Sequence, residues 1–410
     1  MFERMNSVKV FRDPIHGYIH VDLRVIWELI DTYEFQRLRR IHQLGGTYQV
    51  YHSAEHSRFS HSLGVYEIVR RMVSEIKDIS EELSDFEKVS VMVAALLHDI
   101  GHGPFSHAFE QISHTNHEEY TVKIICGDTK IHEVLDKHDT RLAGEVAKII
   151  NHTHPNELLT QLVSGQLDAD RMDYLLRDSY FTGTSYGNFD LERVLRTLRL
   201  VNGKLVVKES GIHTIEDYIM SRYHMYWQVY YHPLSRCYEA IIGNLFKRMR
   251  LLAEEKPELV NHLEMFKSIM TNDDIPVEDY ISLDEPAAFY GINLARKSSD
   301  VILSDLARRV LERDLFAVET YIDEQLEQER KEQVKDAGFD TDYYFYIDET
   351  KQVPYKPYGN KESEAIMVLR EDGSCQELSL VSNIVAAIVK GEVKDDKKMF
   401  YPKHIVSKKY

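Results

Sequence analysis

Apolar and polar residues alternate over residues 8–22, on either side of Asp13-Pro14 and His16-Gly17, which predicts two short strands about a turn. From residue 23 to 44 the apolar positions Val25, Ile26, Leu29, Ile30, Phe35, Leu38 and Ile41 recur at helical spacing, and Gly45-Gly46 marks the end. Further helical periods run over residues 62–76, 85–98, 118–125, 141–151, 157–163 and 169–177. The second of these is apolar nearly all round at its end, as a buried helix is. Residues 198–208, with Asn202-Gly203 at the centre, predict a type I′ hairpin. Residues 215–252 predict one long helix or two, interrupted at Pro233. Beyond about residue 274 the pattern changes. A charge-rich helix is expected over 315–337, strands over 343–347 and 366–380 with Asp372-Gly373 as a turn, and a last helix over 381–389. The fold class expected is mainly α, with a small N-terminal β arm and a smaller α+β C-terminal region. The expected divisions are 1–48 for the arm and first helix, 49–275 for the core and 276–410 for the rest.

The 410 residues suffice for a large core, and 43% hydrophobic with 29% charged residues is ordinary for a folded protein. The start of the chain lacks the apolar stretch of a signal peptide, and no apolar run is long enough to span a bilayer. A cytoplasmic location without membrane contact is expected. Cys126, Cys237 and Cys375 form no Cys-x-x-Cys pair, so neither a zinc ribbon nor a disulfide framework is indicated. A formal charge of −17 argues against nucleic-acid binding, although a local group of cations still suffices for an anionic small substrate.

The candidate chemistry lies at the end of the buried helix. His98 and Asp99 are adjacent there, and five of the chain's 20 histidines (His98, His102, His107, His114, His117) fall within twenty residues. Histidine is the commonest side-chain metal ligand and the usual acid–base group near neutral pH. A divalent metal held by imidazoles also wants carboxylates and open positions. Asp170, from the group Asp168, Asp170 and Asp173 on one helix, and His61, within Arg58-Phe-Ser-His-Ser-Leu-Gly64, complete a four-ligand set. A lone His-Asp pair is more often a cap or a surface arrangement, and Asp168 and Asp173 read by default as solvated or salt-bridged. Joint occurrence of the four motifs is what favours a metal.

Those motifs carry a resemblance. Arg58-Phe-Ser-His-Ser-Leu-Gly-Val65, His98-Asp-Ile-Gly-His-Gly-Pro-Phe-Ser-His107 and Asp168-Ala-Asp-Arg-Met-Asp-Tyr174 resemble the HD-domain deoxynucleoside triphosphate triphosphohydrolases. The branch is that of the nucleotide-activated bacterial enzymes and the vertebrate sterile-alpha-motif/HD restriction factor. Asp13-Pro-Ile-His-Gly17, Phe35-Gln-Arg-Leu-Arg39 and Gln43-Leu-Gly-Gly46 extend the match from about Lys9 to His232. The resemblance implies a helical HD core and release of a deoxynucleoside and intact triphosphate from a dNTP. It implies that His61, His98, Asp99 and Asp170 hold a transition metal (iron, manganese, zinc or nickel), with magnesium on the nucleotide phosphates. His107 matches the general acid, His117 and Glu110 complete and orient that group, and His102 contacts the α-phosphate; His114 matches no role.

On the substrate side, Arg58, Arg171 and Arg222 match phosphate-binding positions. Gln43 and Asp178 match the residues on the 3′-hydroxyl, Leu44 lies against the base or sugar, and Tyr174 and Tyr230 close on a sugar lacking a 2′-hydroxyl. Tyr226 and Tyr231 stand where the vertebrate branch has His and Gln, so base preference does not transfer, and Arg171 replaces a lysine. Asp31, Gln36 and Arg39, with Lys9, Val10, Arg193 and Lys208, match a second site for a dGTP- or GTP-type activator, although Lys208 replaces an arginine. Such a site lies between subunits, which implies a homotetramer. The competing expectations are an HD phosphohydrolase acting on a monophosphate, cyclic or alarmone nucleotide, and a nucleotide-sensing regulator with little turnover.

Overall fold

The computed structural model describes residues 2–106, 109–110, 115–272, 274–350, 355, 365–391 and 396–405. The strands Arg4–Asp13 and Gly17–Leu23 pair antiparallel about Gly17, whose φ of 70° suits a residue without a Cβ. The expected helix over 23–44 is broken. Thr32 donates to the Leu29 carbonyl and accepts from the Phe35 amide, ending Arg24–Ile30 and capping a new helix, Tyr33–Arg37. Apolar periodicity continues through the break because both short helices face the same core, so the pattern alone did not reveal it.

The helix Arg58–Glu75 packs on Asp85–Leu97, which starts in a capping box of Ser84 and Glu87 and ends on His98. Ala169–Thr182 lies against the first of these, begins at the N-cap Asp168 and stops at Gly183, with φ of 71°. His117–Cys126 follows the N-cap Asn116. A short helix, Lys130–His138, went unread between longer periods. The hairpin Leu198–Val201/Lys204–Lys208 turns on Asn202 and Gly203, both at positive φ, as the type I′ turn requires.

The segment around Pro233 resolves into the helix Ile212–Met225, a π-helical turn Tyr226–Tyr230, and the helix Pro233–Glu255 with Pro233 in its first turn. Two apolar clusters divide near this proline. One is built from residues between Ile19 and Val229; the other gathers Pro233–Glu255 and the helices and strands that follow, with Phe105, Phe109 and Tyr120. Strand Met367–Leu369 then returns to the first cluster and pairs parallel with Lys204–Lys208. The expected helix over 315–337 is a strand, Ala317–Thr320, followed by Glu324–Asp336. The expected strand at 343–347 is a turn of helix, Thr341–Tyr344, before strand Tyr346–Thr350. Asp323 and Asp340 cap these helices, and their side chains set the starts. Among the described residues no helix is long and apolar enough to cross a membrane.

Candidate active site

Three helices bring four side chains to one point. His61 comes from the first turn of Arg58–Glu75, His98 and Asp99 from the end of Asp85–Leu97, and Asp170 from the first turn of Ala169–Thr182. His61 Nε2 lies 3.0 Å from Asp170 Oδ1, 3.3 Å from His98 Nε2 and 3.7 Å from Asp99 Oδ2. His98 Nε2 lies 3.4 Å from Asp99 Oδ1 and 3.6 Å from Asp170 Oδ1. Ligands held about 2.1 Å from a common centre stand roughly 3.0–3.4 Å apart; His61, His98 and Asp99 lie close to that spacing and could hold a metal ion, with Asp170 beside the two histidines. The ring orientations agree. His98 Nδ1 donates to the Ala95 carbonyl at 2.9 Å and His61 Nδ1 to Asp173 Oδ2 at 2.8 Å, so each Nε2 faces the centre and would meet a cation there once it gives up any proton.

Behind His61, Asp173 is completely buried and anchors the shell. It accepts from His16 Nε2 at 2.6 Å and from Arg177 at 2.8 and 2.9 Å, and Arg177 reaches on to Asp13 at 2.8 Å. Of the two default readings of Asp173, solvated or salt-bridged, the salt bridge is the one found, to Arg177, and burial also makes the carboxylate the hydrogen-bond acceptor that orients His61. Asp168 is likewise buried, as the helix N-cap. Burial pulls the His61 imidazolium down, but Asp170 and Asp173 outweigh it and raise its pKa to about 10. Burial also pushes the Asp170 carboxyl up, yet hydrogen bonds from His61 and His98 hold it below the usual carboxylate range. Both shifts express one fact, that the centre attracts positive charge.

Asp99 and Asp170 face a cavity of about 820 Å³. Arg58 pairs with Asp99 and donates to Ser106 Oγ at 2.9 Å. His102 Nε2 is 3.3 Å from Asp99 Oδ1; its ring stacks on His117 at 3.9 Å, and His117 Nδ1 meets Glu110 Oε1 at 2.6 Å. Burial and the neighbouring Arg58 and His117 push the His102 pKa well down, so this ring is neutral near pH 7. His107 and His114 lie outside the described residues. Gln43, Leu44, Tyr174, Asp178 and Tyr230 line the same cavity, and the Tyr230 hydroxyl donates to Asp178 Oδ2 at 2.8 Å. His56 Nε2 holds the other Asp178 oxygen at 2.7 Å.

The HD domain profile matches residues 58–178, and that of the HD associated region matches 189–266. YwfO, an uncharacterized protein of Bacillus subtilis, is 46% identical over 409 residues, 98% of this chain and 94% of that one. The chain belongs to the HD-domain family. The deoxynucleoside triphosphate triphosphohydrolase SAMHD1 of Gallus gallus is 30% identical over 280 residues, 59% of this chain and 45% of its own length. A phosphohydrolase structure from Bacteroides thetaiotaomicron superposes with a TM-score of 0.84 at 29% identity, covering 96% of this chain and all of that one. The protein is thus a metal-dependent phosphohydrolase of the HD superfamily, with a mainly helical fold.

Two expected phosphate contacts, Arg171 and Arg222, adjoin residues that line the large cavity, Asp170 and Tyr226. Arg171 is drawn to the N-cap carboxylate of Asp168 and lines a separate cavity of about 390 Å³ with His154 and Gln166. Arg222 donates to Gln166 Oε1 at 3.3 Å. The large cavity is lined by the expected Arg58 and also by Arg236, Lys247 and Arg250. The last three lie on the helix Pro233–Glu255.

In the candidate activator region, Asp31 is exposed at the end of Arg24–Ile30. Gln36 donates to the Ile30 carbonyl at 2.7 Å and accepts from Arg39, which lies 3.5 Å over the Phe59 ring. Lys9 reaches the Trp27 ring at 6.0 Å, and Val10 beside it is exposed. Arg193 donates to the Ser210 carbonyl at 2.8 Å, and Lys208, two residues earlier in the chain, is exposed.

Proposed function

We propose that this HD protein hydrolyses deoxynucleoside triphosphates to a deoxynucleoside and inorganic triphosphate. The observation that carries the reading is one cavity shared by the carboxylates of the metal centre, the His102–His117 pair and the Gln43–Asp178–Tyr230 group. The two-histidine, two-aspartate donor set suits iron, manganese, zinc or nickel, and magnesium accompanies the substrate phosphates. A bound cation would supply Lewis acidity and a water of lowered pKa. Arg58, fixed by Asp99 and Ser106, offsets phosphate charge. Neutral His102 donates a hydrogen bond to the α-phosphate, and His117, oriented by Glu110, with His107 serves the proton needed by the leaving 5′ oxygen. Burial and Asp178 raise the Tyr230 pKa well above its ordinary value, so the phenol stays protonated and keeps its bond to Asp178. With Tyr174 at a ring distance of 6.0 Å, it walls the sugar site.

The same reading includes activation by dGTP or GTP at a second site built from Lys9, Val10, Asp31, Gln36 and Arg39 with Arg193 and Lys208 of another subunit, in a homotetramer. The resemblance of these positions to those of the nucleotide-activated branch supports it. The test is chromatography of products from each dNTP, alone and with dGTP, in Mg²⁺ and Mn²⁺. Deoxynucleoside and triphosphate together, lost in His98→Ala, are expected. Monophosphate or pyrophosphate instead would assign another HD reaction. A chain that stays monomeric with saturating dGTP and GTP removes the activator site.

A further inference from the structure

Residues 283–285 lie outside both matched regions, in a part of the chain to which no role has been attached. Each of the three holds a different residue of the segment 37–42. The Leu283 carbonyl accepts from Arg37 Nε at 3.0 Å, Asp284 pairs with Arg40, and Glu285 accepts from the His42 amide at 2.9 Å and meets the His42 ring. Two of these groups, Arg37 and Glu285, also grip the loop after Asp99. Arg37, with no exposure at all, donates to the His102 carbonyl at 2.9 Å and the Ile100 carbonyl at 3.4 Å. Glu285 Oε1, on a residue 1% exposed, accepts from the Phe105 amide at 3.4 Å.

The gripped loop is under backbone strain. Phe105 and Ser106 both have positive φ, 61° and 51°, which residues with a Cβ adopt only where their surroundings over-determine them. Ser106 Oγ donates to the His42 carbonyl at 3.1 Å, and Arg58 Nη2 reaches the Gln43 carbonyl at 3.3 Å. The loop that carries His102 and the loop that carries Gln43 and Leu44 are therefore closed on each other, with one buried carboxylate bonded to a backbone amide of each. His107 is the next residue in the chain after Ser106.

We propose that Leu283–Asp284–Glu285 is a clasp, with Glu285 as a positioning residue that sets the sugar-contacting loop against the phosphate-contacting loop. The roles of the two loops rest on the function proposed above; the clasp itself rests on the bonds just given. Through Arg37 it also joins the loop after Asp99 to the helix that carries Gln36. The C-terminal third thereby takes part in aligning the reacting groups, without touching them.

The test compares Glu285→Ala, which removes the one oxygen that accepts from both amides, with Glu285→Gln, which keeps an oxygen for them. Hydrogen exchange in peptides covering residues 40–46 and 100–106 is read beside a control covering 169–182, together with metal content, kcat and KM. Glu285→Ala is expected to exchange about tenfold faster in both loops and not in the control. Its kcat should fall about 10–100-fold, as displacement of catalytic groups by an ångström does, with metal content and KM within about twofold of the parent. Glu285→Gln is expected to restore most of both. Unchanged exchange in the two loops of a folded Glu285→Ala protein overturns the clasp, as does a Gln variant as impaired as the Ala variant. Should Glu285→Ala not fold, Glu285→Asp, one methylene shorter, must loosen at least one loop, and protection of both refutes the proposal. If the parent protein releases no triphosphate, the function reading falls while the exchange data still decide the clasp.

Discussion

Replacing Asp173 by asparagine changes one charge and almost no volume at a side chain that has no exposed surface. In the parent, both carboxylate oxygens are occupied, by His61 Nδ1 and Arg177 Nε on one and by His16 Nε2 and Arg177 Nη2 on the other. Every partner is a donor, so an amide nitrogen placed on either side meets two donors, one from a histidine and one from Arg177. If the amide turns its nitrogen toward His61, the imidazole must change tautomer or rotate, and its Nε2 no longer offers a lone pair at the centre. Loss of an outer-shell partner of this kind costs about 10–100-fold in metal affinity, or roughly 1.4–2.7 kcal/mol. The fold suffers less than from a fully orphaned charge, which costs about 3–5 kcal/mol, because Arg177 keeps Asp13 at 2.8 and 3.3 Å. Metal content measured by plasma mass spectrometry after dialysis against graded chelator, with melting curves taken in excess chelator, separates the two effects. A D173N protein that holds metal as tightly as the parent would refute the argument that this carboxylate orients His61.

Gly64→Ala tests the same anchor from the opposite side: a Cβ there would stand 1.9 Å from Asp173 Oδ1 and 2.5 Å from Arg177 Nη2, so the variant should lose metal and melt at lower temperature, and wild-type metal retention and melting would contradict it. In the metal-free protein His61 titrates near 10, above its ordinary value of about 6.5, so its protonation supports the fold fully below that ordinary value and the support fades as pH rises through about 10. A cation entering the centre displaces this proton, so apparent metal affinity should rise by up to about tenfold per pH unit between pH 7 and 9; chelator competition showing no rise would contradict the shift. Tyr230→Phe deletes the bond to Asp178 and opens the sugar wall, so KM for a dNTP should rise about 3–10-fold and discrimination against the ribonucleotide should weaken, for a charge-assisted bond worth about 1.5–3 kcal/mol at most. Parallel KM and specificity values for Tyr230→Phe and the parent would remove Tyr230 from the sugar site.

Much of the chemistry was legible because it is local. His98 and Asp99 follow a continuous apolar helix, His61 and Asp170 sit in first turns marked by their own motifs, and Asn202-Gly203 needs no distant partner to make its turn. The π-helical turn that brings Tyr226, Tyr230 and Tyr231 to the cavity was not legible, because a single inserted residue barely alters periodicity. What only the tertiary structure decided are polar contacts made across the chain. Asp173 meets His61 over 112 residues and His16 over 157, while Glu285 meets His42 over 243. A charged residue on a helix reads as solvated until packing shows that it is buried, and burial then makes its choice of partner costly to change. Arg171, whose motif suggests a phosphate contact, pairs with the N-cap carboxylate of Asp168, a contact within one helical turn. Sequence determined which residues could serve a metal and a nucleotide, since that depends on residue type and local spacing. Packing determined which of them are held rigidly, and from which side, since that depends on partners brought together only when the core closes.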